Sequence, residues 1–163
     1  MTMTALLDDI DRELLTALQR DARQTNAELA RRVDLSAAGL HKRLRRLEEG
    51  GVITGYVAQI DREVVGYDML CFVQVTLQRH EPDAVNNFRR EVQSMPEVLE
   101  CHHLTGEFDY LLKVIVCNRK HLEHFILNTL TPVRGMDKIR TSLVLSEIKA
   151  TAAIPMDELP RQE

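Results

Sequence analysis

Four cations and a histidine crowd into six positions of this chain: His41, Lys42, Arg43, Arg45 and Arg46. Leu40, Leu44 and Leu47 recur between them at i, i+4, i+7, the spacing of one buried helix face. A helix that is apolar on one side and this basic on the others can meet DNA phosphates and the base edges of the major groove. The plainer reading is a solvated basic face on an ordinary helical hairpin. A second candidate lies downstream, in Gly106-Glu107-Phe108-Asp109-Tyr110. A turn here leaves backbone N–H groups free to hold a carboxylate, and Glu107 or Asp109 can hold an ammonium group. Those are the two fixed charges of a free amino acid. The competing reading is a polar turn in which Asp109 caps its own backbone.

Other reactive residues form no constellation. His102 and His103 are adjacent in an expected strand and point to opposite faces. His121 and His124 stand i, i+3 on an expected helix, but no third ligand is in view, so no metal site is expected. Cys71, Cys101 and Cys117 are odd in number and widely spaced, each within a strand-like run, and read as small buried hydrophobes. The chain has no G-x-S-x-G, no phosphate loop and no paired carboxylates with a histidine base. No catalytic residue and no cofactor are expected.

Thr25-x-x-Glu28 is a capping box at the start of a short helix carrying Leu29, Ala30 and Val33. Asp34-Leu35 breaks it, and Ser36 caps the basic helix. Two short helices joined by a tight turn read as a helix-turn-helix, with the second helix in the groove. A preceding helix, Asp8 to about Arg20, supplies Ile10, Leu14, Leu15 and Leu18 to cover it, and its first-turn aspartates suit the helix dipole. Glu49-Gly50-Gly51 ends the basic helix. Val52 to Ile60 looks extended, as a wing strand or as a connector.

From Asp61 the pattern changes to strand (67–77), helix (82–95), strand (98–104), strand (110–117), helix (120–130) and strand (139–147). The order β-α-β-β-α-β is the split βαβ, ferredoxin-like motif. Its sheet carries helices on one face and leaves the other for a partner, most simply a second copy. The expected class is therefore α+β: a winged helix-turn-helix over 8–54, a connecting strand or linker over 55–66, a ferredoxin-like domain over 67–150, and a loose tail over 151–163.

Composition agrees with a folded protein. Of 163 residues, 44% are hydrophobic and 28% charged, enough apolar material for a core filled by aliphatic side chains, since aromatics are only 4%. The net charge is −4, yet the acid excess lies wholly after residue 60, so a local basic field on the first domain is untouched by it. No apolar run reaches the roughly 20 residues that span a bilayer. The acidic start lacks the basic opening of a signal peptide, which points to the cytoplasm and to no membrane partner.

These segments together resemble the Lrp/AsnC (leucine-responsive, feast/famine) regulators over about Asp8 to Lys149. The resemblance is carried by Ile10-Asp11, Asp21-Ala22-Arg23, Asn26-Ala27-Glu28-Leu29-Ala30 and Val33-Asp34-Leu35-Ser36. It continues in Arg43-Leu44-Arg45-Arg46-Leu47-Glu48, Gly51-Val52-Ile53-Thr54-Gly55-Tyr56 and Gly106-Glu107-Phe108-Asp109-Tyr110-Leu111-Leu112. It implies a sequence-specific transcriptional regulator of promoter operators in double-stranded DNA, controlled by a small effector, commonly an amino acid. It also implies dimers joined through the sensing domain, often assembled into tetramers or octamers. The effector cleft would lie between neighbouring dimers, with Leu104, Thr105, Gly106, Glu107, Phe108, Asp109 and Tyr110 on one wall. Met136, Thr141 and Ser142 would form the other.

The middle of the recognition helix, Ala37-Ala38-Gly39-Leu40-His41-Lys42, departs from many relatives, so operator sequence does not carry over. Ser36, Ala37, Ala38, His41 and Lys42 are expected at the groove and Arg45 and Arg46 at phosphates, with Thr25 counted among the DNA-binding residues. Arg43 and Glu48 can instead pair within the domain. Two other classes stay open: a DNA-organising protein without an effector, and a ligand-sensing subunit that does not bind DNA.

Overall fold

Three capped helices open the chain. Asp8 caps α1 (Asp9–Arg20): its carboxylate accepts the Asp11 N–H at 2.8 Å, and the Asp11 carboxylate accepts the Asp8 N–H at 3.2 Å. Helix α2 (Asn26–Arg32) carries the expected box, with the Thr25 N–H donating to Glu28 at 2.7 Å and the Glu28 N–H to the Thr25 hydroxyl at 3.3 Å. Those bonds to Thr25 hold the Glu28 carboxyl below the usual range. At the turn Asp34 takes φ +52°, a left-handed position that a short polar side chain tolerates, and the Leu35 N–H closes onto Ala30 O at 2.9 Å. Helix α3 (Ala37–Glu49) starts where the Ser36 hydroxyl accepts the Gly39 N–H at 3.1 Å. A Cβ on Gly39 would stand 3.2 Å from that hydroxyl, so glycine there keeps room for the cap.

The computed structural model describes residues 7–78 and 82–156. Its contacts divide the chain into two units, Met1–Ala58 with Lys149–Glu163, and Gln59–Ile148. In the first, Leu14, Ala17, Leu29, Ala30, Val33, Leu40 and Leu44 form the core of the three helices. Of the two readings open for residues 52–60, wing strand or connector, the chain adopts no strand of its own there. Gly51, at φ +69°, turns the chain so that the Val52 and Ile53 N–H groups both donate to Leu47 O, and Ile53 packs on the helical core. Tyr56 then donates to Glu48 at 3.0 Å, which ties the connector to α3.

The tail, expected loose from Thr151, is docked as far as Met156. The Met156 side chain is 8% exposed and packs with Leu15 and Leu47. Gln19 clasps Ile154 from both sides, its Nε2 donating to Ile154 O at 3.1 Å and its Oε1 accepting the Ile154 N–H at 2.6 Å. The remainder, 157–163 with Pro160, lies outside the described residues. Met156→Ala is therefore expected to destabilise the helical unit by about 1.5–3 kcal/mol, the cost of exposing what a buried methionine covers. Urea unfolding followed by helical circular dichroism measures it.

In the second unit four strands make one antiparallel sheet in the order β2-β3-β1-β4. They are β1 (Met69–Leu77), β2 (Val98–His103), β3 (Tyr110–Val116) and β4 (Met136–Leu143). Helix α4 (Pro82–Gln93) crosses from β1 to β2. Helix α5 (Arg119–His124) runs on as a π-helical stretch, Phe125–Leu130, where the sequence reads as one regular helix. Alternate residues Cys71, Val73, Val75 and Leu77 of β1 and Tyr110, Leu112, Val114 and Val116 of β3 join Phe88, Val92, Phe125 and Leu130 in the core. Phe72 is 36% exposed on the opposite, uncovered face. Strand β4 starts three residues earlier than its periodicity suggests. Gly135, at φ +89°, offers its carbonyl to the Gln78 N–H at 2.8 Å, and Met136 pairs at once with Leu77. It also ends earlier, opposite Cys71, so Leu145 and Ile148 are 94% and 93% exposed.

Candidate nucleic-acid interface and ligand turn

Helix α3 divides its side chains cleanly. Leu40, Leu44 and Leu47 are buried, while Ser36, Ala37, Ala38, His41, Lys42 and Arg45 are exposed. At 100° per residue the exposed positions 37, 38, 41, 42 and 45 share one face. Thr25 is exposed at the start of α2, with its hydroxyl and N–H committed to the capping box. Lys42 has no hydrogen bond or ion pair among the described residues. Arg45 pairs with Glu49 at 2.7 Å one turn on, with both side chains largely exposed, an arrangement worth little in stability.

Arg43 and Arg46 behave differently. Arg43 donates to Asp8 at 2.6 Å and to Asp11 at 2.7 Å, so the intradomain pairing open to it from sequence is the one observed. Arg46, expected at a phosphate, donates to the other oxygen of Asp11. Asp11 is wholly buried, and a buried carboxylate requires such partners. Sequence reading missed Asp11 as the buried support beneath this surface; its signal was an aspartate on the apolar side of α1. Burial raises the Asp8 carboxyl, but the hydrogen bonds from Arg43 and the Asp11 N–H outweigh it, and the net shift is downward. A carboxyl with a depressed folded value contributes stability that is present at neutral pH and lost as pH falls through that value. The helical unit should accordingly lose thermal stability below about pH 4, and Asp8→Asn should flatten that decline in a melting-temperature series.

At the other candidate, the turn between β2 and β3 is closed by the Leu104 N–H donating to Asp109 O at 2.8 Å. Gly106 sits at φ +121°, which side-chain-bearing residues rarely adopt. Asp109 is built into the sheet: its N–H donates to Val75 O at 3.0 Å, and its carboxylate accepts the Leu77 N–H at 2.7 Å. Leu104, Thr105 and Glu107 are exposed, and Phe108 lies under the Arg140 guanidinium at 5.9 Å. Met136 opens β4 at this same end of the sheet.

Three further residues expected to line the cleft lie away from the turn within this chain. Tyr110 is 2% exposed, its ring packed between Phe88 and His103, because the strand alternation turns it to the helix-covered face. Thr141 and Ser142 pair with Val73 and Phe72 towards the far end of β4, separated from the turn within this chain by β1. Of the cysteines, all three expected buried, Cys71 is buried, Cys117 is half-buried and Cys101 is exposed on the edge strand β2. His121 is held by Glu97 at 3.2 Å and by the Cys117 N–H, and His124 contacts Asn128, so the two histidines face separate partners.

Known proteins combine these two units. The family model for winged helix-turn-helix DNA-binding domains matches residues 7–54, and that for the Lrp/AsnC ligand-binding domain matches 70–154. The leucine-responsive regulatory protein of Escherichia coli K12 is 41% identical over 143 residues, 88% of this chain and 87% of its own. The chain belongs to the Lrp/AsnC family of transcriptional regulators. The Lrp/AsnC fold extends over nearly its whole length. A Neisseria meningitidis transcriptional regulator, crystallised as a complex with L-methionine, superposes with a TM-score of 0.89 at 38% identity, covering 94% of this chain and 99% of that one. Escherichia coli AsnC superposes with a TM-score of 0.83 at 28% identity, covering 89% and 96%. The protein is thus a DNA-binding transcriptional regulator with a ligand-binding domain. No helix among the described residues is long and apolar enough to cross a membrane.

Proposed function

We propose that this regulator binds promoter DNA through the exposed face of α3 and answers to a free amino acid held at the β2–β3 turn. The observation that carries the reading is the pairing of an exposed basic helix face in one unit with an open glycine turn in the other. Ser36, Ala37, Ala38, His41 and Lys42 meet the groove, and Arg45 and Arg46 meet phosphates. At the turn, Glu107 holds the ammonium group, Leu104, Thr105 and Phe108 line the pocket, and Asp109 keeps the turn in place. A bound L-methionine in the Neisseria regulator supports an amino acid as the ligand class. The protein works as a homo-oligomer in the cytoplasm. Phe72 and Leu143, exposed on the sheet, and the bare Leu145 and Ile148 beyond it favour self-association.

Control then follows from linkage. An amino acid that binds one assembly better than another shifts the population, and a coupling of about 1–3 kcal/mol changes DNA affinity about 5- to 150-fold. A thermal-shift screen against the twenty amino acids tests the ligand. One present at about a hundred times its dissociation constant adds roughly 2.7 kcal/mol per site. Stabilising hits that also shift DNA affinity establish the reading; indifference to all twenty, with low sequence preference, would favour a DNA-organising protein. Lys42→Ala is expected to weaken binding about equally on every duplex and to reduce the salt slope by about one unit. Fluorescence anisotropy on operator and scrambled DNA over a salt series checks it.

A further inference from the structure

We infer that Asp11 is a positioning residue for DNA binding, which gives the two arginines it holds different tasks. The inference rests on the reading of α3 as the DNA-facing helix. Asp11 stands in the first turn of α1, fully buried, and takes one arginine on each carboxylate oxygen. Arg43 is only 21% exposed, and its Nη1 is shared between Asp8 and Asp11, so it serves chiefly to join α3 to α1. Arg46 is 55% exposed although its partner carboxylate is wholly buried. One of its nitrogens therefore points inward to Asp11, and the rest of the planar fork remains in solvent.

The exposed part lies where an anion would arrive. Arg46 is one turn beyond Lys42 on the same ridge of α3, and Lys42, Arg43, Arg45 and Arg46 border a single open depression on that helix. A long arginine side chain loses rotamer freedom when it clamps a phosphate. Asp11 holds it in place beforehand, through a bond that survives because the carboxylate cannot be solvated by water. A buried negative charge thus strengthens the grip on a negatively charged ligand. Simple charge counting predicts the reverse, that removing Asp11 would raise affinity and steepen its salt dependence.

The two signs can be told apart with the full-length protein and a double-mutant cycle. Asp11→Asn, Arg46→Gln and the double variant are titrated on fluorescent duplex by anisotropy at several salt concentrations. Asp11→Asn is expected to lose about tenfold in affinity and about one unit of salt slope, with no further loss when added to Arg46→Gln. A gain in affinity, or losses that multiply, would overturn the inference. Should Asp11→Asn fail to fold by circular dichroism, Arg46→Lys decides alone. Its ammonium cannot serve carboxylate and phosphate with a planar fork, so it should lose most of what Arg46→Gln loses; wild-type affinity would overturn the proposal. Failure of the wild-type chain to bind any duplex would instead overturn the reading of α3.

Discussion

Leu40→Ala is expected to abolish DNA binding at 37 °C while leaving the ligand-binding unit folded. Leu40 is 0% exposed on the inner face of α3 and packs in the cluster formed by Leu14, Leu29 and Leu44. Deleting a leucine side chain from such a site costs about 2–5 kcal/mol, in lost transfer energy and residual cavity. Small domains hold only about 5–15 kcal/mol in total, so a three-helix unit has little margin for that loss. The second unit has its own core, centred on Val73, Val75, Leu112 and Phe125, and none of those residues is touched. Differential scanning calorimetry should show the transition of the helical unit shifted down and that of the sheet unit in place. A single transition moving as a whole would mean that the two units unfold together. The exposed changes on α3 that test the DNA interface, Lys42→Ala above all, should leave both transitions where they are.

Asp109→Ala is the second change with a large expected effect, and it separates positioning from contact. The Asp109 carboxylate accepts the Leu77 N–H at the end of β1, beside the register shift between Thr76 and Leu77. Alanine leaves that part-buried N–H without its acceptor, at a cost of about 1–3 kcal/mol, and releases the turn that carries Glu107. Ligand binding and the melting temperature of the sheet unit should fall together. Asp109→Asn keeps an acceptor oxygen and should keep both. Glu107→Ala removes an exposed carboxylate and should lose ligand while the unliganded melting temperature stays unchanged. Thermal shift with and without the amino acid found in the screen reads all three variants. Normal ligand affinity in Glu107→Ala would remove that residue from the site.

Much of this protein is written in short-range signals. Capping boxes span three residues, so Asp8–Asp11, Thr25–Glu28 and the Ser36 cap define where α1, α2 and α3 begin without reference to the rest of the chain. The leucines of α3 and the alternating residues of β1 and β3 announce their periods, and the order of elements leads to the ferredoxin-like sheet. The basic face of α3 and the glycine turn were legible for the same reason, since each is one contiguous stretch.

What the tertiary structure alone decided is who meets whom across the chain. Arg43 and Arg46 reach an aspartate 32 and 35 positions away, and Gln19 meets Ile154 across 135. The docked tail looked loose because Met156 stands in a stretch without periodicity, and its burial comes from packing against Leu15 and Leu47. Tyr110 belongs to the core, and Thr141 and Ser142 to the far end of β4, because sheet register and strand order place them there. Residues 52–60 form no strand because a strand needs a neighbour, which an extended pattern does not supply. Helix starts and strand periods are set by backbone chemistry within a few residues. Ion pairs, docking and register depend on the shape that packing leaves, and charge or apolarity in sequence carries no address for its partner.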